Sequence, residues 1–317
     1  MKARDAVHLG LMLLALAAAY LLPFELLVLS YAILGPAHYF TEISWLHDRN
    51  FYLPNRNLGA LLAFAALGAM FIADPYWYGL LVASCFIACA LLAGSFTRNQ
   101  RLVLAAIAVA VLIAAGQIRA PYVIAGVLLT TLIHVSVFTL VFMIVGAHRA
   151  RSAALYGLVG LYVAVLVFIV AVPPPSTPVI PALATISKTY FADVAPAIGS
   201  LFGNPHLAFD SRLVGVLSFA YTYHYLNWFI KADVIKWANV PKKRMIGIAL
   251  ASAASTGLYL YNYKTGFMVL LLLSLIHILL EFPLNSLSLR ELGGLVASGF
   301  RPSAPSSPAG KLRRKSA

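Results

Sequence analysis

Apolar runs of roughly 20 residues follow one another along nearly the whole chain, separated by short breaks that hold proline or basic residues. A run of that length crosses a bilayer as one helix, and in lipid only helices and closed barrels satisfy their own backbone groups. The runs lack the period-two alternation of barrel strands, so the expected fold is all-α: a polytopic transmembrane helical bundle of about ten spans. The segments read as 6–22, 24–42, 58–73, 77–96, 101–117, 121–147, 153–172, 212–230, 244–262 and 265–283. Pro23, Asp74-Pro75 and Arg119-Ala120-Pro121 mark tight turns between neighbours. Residues 1–284 form the membrane domain. A long outer loop at 173–211 opens on "PPPSTP" and carries a possible amphipathic piece, "KTYFADVAPAIGSLF". Residues 285–317 form a cytoplasmic tail that includes the disordered stretch "RPSAPSSPAGKLRRKSA".

Charge supplies the orientation. The chain has only 10% charged residues yet a net charge of +13. With both termini in the cytoplasm, nineteen of its 23 basic residues fall on the inner side. Only Arg119, Lys188, Arg212 and Lys264 lie outside. That asymmetry matches the positive-inside rule and an even number of spans. The basic loops face anionic lipid, so the positive charge requires no nucleic acid. The first apolar run has a basic flank but no small-x-small cleavage site, and it reads as a retained first helix. Cys85 and Cys89 sit four apart on one helix face and read as packing residues. The expected location is the bacterial inner membrane.

Four of the eight histidines fall inside spans: His38, His134, His224 and His277. All four lie on even-numbered helices. Counted from the outer end of each helix, they come within one layer roughly 18–22 Å deep at about 1.5 Å rise per residue. Glu42 follows His38 by four residues and Glu281 follows His277 by four, which places each carboxylate on its histidine's face one turn deeper. Asn227 lies three after His224 on the same face. Ionisable groups at membrane depth are costly and normally face a partner inside the bundle.

Neutral imidazole is a common ligand for iron, zinc and copper. Four helices offering one imidazole each at one height can close on an ion. The carboxylates can orient the rings through their other nitrogen, or bind metal themselves, and the set is large enough for one or two ions. Zinc fits imidazole equally well. A buried site open to lipid suits oxygen chemistry better than hydrolysis, which favours Fe(II). Tyr221, Tyr225, Trp228 and Asn227 surround His224 and are candidates to line a slot for a lipophilic substrate entering from the bilayer. Pro36 is expected to kink its helix just before His38. The same layer also suits a proton- or ion-coupled transporter, or a polar packing network without catalysis.

The motifs "LGPAHYFTE", "TLIHVSVF", "YTYHYLNWF" and "LIHILLEF" distribute single histidines over separate helices. In this the chain resembles the Brp/Blh family of integral membrane β-carotene 15,15'-dioxygenases. The resemblance implies a non-haem iron held by His38, His134, His224 and His277, with O₂ as co-substrate and cleavage of a carotenoid to retinal-like aldehydes. Two departures stand out. Ala37 separates Pro36 from His38, and the bulky Tyr39-Phe40 replace the small residues of the family's first motif.

Overall fold

A computed structural model describes residues 3–50, 56–69, 75–94, 96–115, 131–175, 180–191, 211–231 and 239–300. The described residues are helical and contain no strand. The helices are α1 (Ala3–Leu21), α2 (Pro23–Asp48), α3 (Arg56–Ala69), α4 (Pro75–Ala93), α5 (Arg98–Ala115), α6 (Thr131–Ala150), α7 (Ala153–Ala171), α8 (Pro181–Tyr190), α9 (Ser211–Ile230), α10 (Lys242–Tyr261) and α11 (Tyr263–Ala297). Each of the ten apolar segments therefore contains a described helix. Helices α2, α6, α7 and α11 are long and apolar enough to cross a membrane. The similarly long α9 is not among them because it carries a run of Tyr, Thr, His and Asn side chains, most of which it buries.

Three elements depart from the expected map. Helix α2 continues to Asp48 instead of stopping at residue 42. Helix α11 continues through Pro283 to Ala297, so no break occurs at 284. Its extension is held because Asn285, Ser288 and Leu295 are buried and Glu291 pairs with Arg149 of α6. Helix α8 begins earlier than the amphipathic piece and contains only its first residues. Most of that piece, like the tail 301–317 and the turn at 119–121, lies outside the described residues. The Ile180 N–H at the start of α8 donates to the buried Glu25 carboxylate at 3.0 Å, which ties α8 to α2.

Four helices form a closed ring at the centre: α2 packs on α9, α9 on α6, α6 on α11, and α11 on α2. These are the helices that carry the four histidines. Around them, α1 and α7 pack on α9, α3 and α4 on α11, and α10 on both α2 and α11. Helix α5 packs on α4 at the periphery, and its Leu102, Val103, Ile107, Val109 and Val111 are outward facing. Cys85 and Cys89 are free, buried thiols that pack α4 against Leu279 of α11, in agreement with a packing role.

A π turn at Ser30–Leu34 lies just before Pro36 in α2, where the Gly35 N–H bonds to the Ser30 carbonyl five residues back. Pro36 has no N–H to offer the Ala32 carbonyl four residues earlier. Thr256 of α10 donates to that carbonyl instead, at 2.7 Å. Just beyond Thr256 the chain reverses from α10 into α11 with almost no space. A Cβ on Gly266 would lie 2.1 Å from the Tyr259 Cα. The Asn262 side chain caps α11 by accepting from the Thr265 N–H at 3.0 Å.

Candidate metal centre

The ring of helices brings His38, His134, His224 and His277 together. Their imidazoles form a square whose successive ring centroids are 4.8 Å (His38–His224), 4.9 Å (His224–His134), 5.1 Å (His134–His277) and 5.2 Å (His277–His38) apart. Every neighbouring pair meets edge to face. His38, His134 and His277 are each 1% exposed and His224 is 7% exposed. One nitrogen from each ring lies within 4.8 Å of the others. Nitrogens bound to one ion at about 2.1 Å are about 3.4 Å apart in a tetrahedral site, so the four rings would have to draw inward to close on a single ion.

Several of the ring nitrogens lack a side-chain hydrogen-bond partner. Nε2 of His134 and both ring nitrogens of His277 are buried with no hydrogen-bond partner. Burying such groups without a partner is costly, and clustered imidazole nitrogens are a donor set a borderline cation accepts. The Nε2 atoms of His224 and His38 face each other at 3.1 Å. On the far edge of His224, Nδ1 lies 2.7 Å from the Thr139 hydroxyl. With Thr139 accepting from Nδ1–H, the Nε2 lone pair is free for a metal.

The two carboxylates sit differently. Glu42 Oε2 is 3.0 Å from His38 Nε2, the same nitrogen that faces His224. Glu42 therefore lies on the metal side of the ring, in the place of a ligand. Glu281 Oε2 is 3.2 Å from His134 Nδ1, the opposite nitrogen from the unpaired Nε2, and it also accepts from Asn285 Nδ2 at 3.3 Å. That is the placement of a group that orients an imidazole. Glu42 and Glu281 adjoin one another, and both are almost fully buried.

Aromatic side chains frame the square. Tyr39 stacks on His277 at 4.3 Å and shares a 2.7 Å hydroxyl contact with Tyr225, which itself lies against His38. Trp228 meets His38 edge to face, and its Nε1–H donates to Thr41 at 3.1 Å. Asn227 and Trp228 line a cavity of about 360 Å³ that reaches His38, Glu42, His224 and Glu281. Tyr221 and Tyr225 pack instead in an apolar core with Phe24, Val28 and Tyr31, and the Tyr221 hydroxyl donates to Thr131. The other histidines stay apart: His47 is exposed, His148 bonds to the Tyr156 hydroxyl at 3.2 Å, His8 is buried in α1, and His206 lies outside the described residues.

Reading the sequence missed Thr139 and Thr41 as parts of this site, as well as a second π turn that begins at His134 itself (His134–Phe138). Single π turns inside α-helices occur often at functional sites. No family model, curated protein or solved structure matches this chain.

Proposed function

We propose that the histidine square holds Fe(II) and that the protein is an integral membrane non-haem oxygenase acting on a lipid-dissolved polyene, of the carotenoid class. In this reading ten helices span the bilayer with both termini in the cytoplasm, and the basic inner loops rest on anionic lipid. The observation that carries it is the closed square of four buried imidazoles, which brings one nitrogen of each ring within 4.8 Å of the others. The spread of single histidines over four helices, as in the Brp/Blh motifs, supports it.

Iron bound there supplies the one-electron and O₂ chemistry that amino-acid side chains lack. The chain does the rest. Thr139 and Glu281 hold two of the imidazoles in the tautomer that leaves a lone pair toward the centre. Glu42 stands where it can add a negatively charged ligand. Tyr39, Tyr225 and Trp228 exclude water from the ring faces, and the cavity beside Asn227 gives an apolar chain access to its edge.

The test is metal analysis of purified protein together with bleaching of carotenoid-producing cells. Between one and two irons per chain, pale cells and accumulated aldehyde are expected. Iron-free protein that moves protons or solute across vesicles would replace this reading with the ion-coupled transporter.

A further inference from the structure

Lys231 directly follows α9, and among the described lysines it alone has a buried amine. Lys188, Lys242, Lys243 and Lys264 are exposed. The Lys231 N–H bonds to the Trp228 carbonyl at 3.1 Å, which carries the last helical turn through it. Seven residues, about two turns, separate it from His224, so both stand on one side of the helix. Lys231 borders the same cavity as His38, His224, Glu42 and Glu281. Its Nζ lies 5.6 Å from the Phe142 ring centre, and the carboxylates whose charge acts on it are those of Glu42 and Glu281. A primary amine is thus enclosed beside the histidine square, with its counter-charges in place.

Lysine is the side chain that condenses with carbonyl compounds, and apolar enclosure is where such lysines work. Oxidative cleavage of a polyene double bond gives aldehydes, and here they form in a cavity that Lys231 lines. The condensation needs no further reagent. The ammonium of Lys231 and an aldehyde give a protonated imine and water. The carbon–oxygen double bond breaks, a carbon–nitrogen double bond forms, and the oxygen leaves as water. One positive charge stays on the nitrogen throughout, so Glu42 and Glu281 serve the iminium as they serve the ammonium. A second cavity of about 370 Å³, walled in part by Met143, Leu155, Leu158 and Tyr223, also borders Lys231 and includes none of the four histidines. The chain of a bound aldehyde therefore has apolar room clear of the square.

Building on the cleavage reading, we propose that Lys231 is a covalent holding site for the product, a polyene aldehyde bound to its amine as a protonated imine. Held there, the aldehyde is kept from the amines of lipid headgroups and other proteins. Water reverses the bond and frees it, so release is governed by the access of water to Lys231.

The test adds retinal, as a polyene aldehyde, in equimolar amount to the purified full chain in non-ionic detergent and an amine-free buffer. Absorption is followed, the imine is then fixed with cyanoborohydride, and the labelled peptide is located by mass spectrometry. A band at longer wavelength than that of free retinal is expected, followed by a single adduct per chain on the Lys231 peptide. Excess retinol, which has the chain but no carbonyl, should slow labelling of Lys231 and leave the exposed lysines unaffected. Lys231→Arg keeps a positive charge beside the two glutamates but forms no imine, so it should lose the band and keep its helical signal. If that variant fails to fold, the wild-type peptide map decides alone. Label spread over Lys188, Lys242, Lys243 and Lys264 with Lys231 unmodified overturns the proposal. Labelling of Lys231 that retinol does not slow overturns it as well, because the amine is then reactive without a site for the chain. Iron is counted in the same samples. Iron without a Lys231 adduct sinks this proposal alone, whereas the adduct without iron sinks the metal reading and leaves the aldehyde site.

Discussion

At the scale of single residues, the site separates groups that hold a metal from groups that hold the holders. His134→Ala and His277→Ala each remove one of the four buried imidazoles, so metal content should fall to background while circular dichroism keeps its helical signal. Thr139→Val acts one step back. It removes the partner of His224 Nδ1 and should weaken metal affinity about 10- to 100-fold, as read by competition with a chelator. Glu42→Gln and Glu281→Gln divide in the same way. The first should lose metal outright, and the second should weaken it by the smaller factor, because only Glu42 lies on the inward-facing nitrogen. The four histidines and two glutamates were legible in the sequence, since ionisable groups are rare in apolar helices and depth can be counted along each one. Thr139 was not. Five residues along an α-helix place it about 140° around from His134. The intervening π turn, with its wider i→i+5 bonding, carries it back toward the face of its histidine.

At the scale of elements, the devices that shape the site are interruptions of regular helix. Thr256 takes the carbonyl that Pro36 cannot serve, so Thr256→Val should cost about 1–2 kcal/mol by leaving it short of a donor. A thermal-shift comparison with Thr256→Ser, which keeps the hydroxyl, isolates that bond. Gly266→Ala should be worse. Its methyl group would run into backbone, which has no rotamer with which to yield, and about 1–3 kcal/mol or more is expected from the forced separation of α10 and α11. The existence of ten helices could be read from hydropathy because apolar length is a property of composition. Helix ends could not be read so well. Helix α11 passes Pro283 because partners on α6 hold its polar extension, and such partners are a matter of tertiary structure. A kink was expected at Pro36, but not the π turn just before it, whose bonding is set by the partners that receive the displaced carbonyls.

At the scale of the molecule, the ring of α2, α9, α6 and α11 surrounds a point where imidazoles meet with unsatisfied nitrogens. An ion that binds only the folded form stabilises it by mass action, about 4 kcal/mol at a thousandfold excess over the dissociation constant. Chelation should therefore lower the melting temperature of the whole bundle by several degrees, and adding iron back should restore it in a scanning fluorimetry experiment. The peripheral helices gain only indirectly, so hydrogen exchange should slow most in the four central ones. Which helices neighbour which was not legible in the sequence. A common depth on four helices made a shared layer plausible, but only the packing puts His38 and His134 on opposite corners and His224 and His277 between them.

That arrangement also sets an order of events during synthesis. One corner of the square, His277, belongs to α11, the last of the described helices to leave the ribosome. Until α11 has entered the bilayer and docked against α2 and α6, the nascent chain presents at most three corners. In the proposed metal reading, loading waits for α11 to dock, which keeps an unfinished chain from holding a reactive ion in an open, half-built cage.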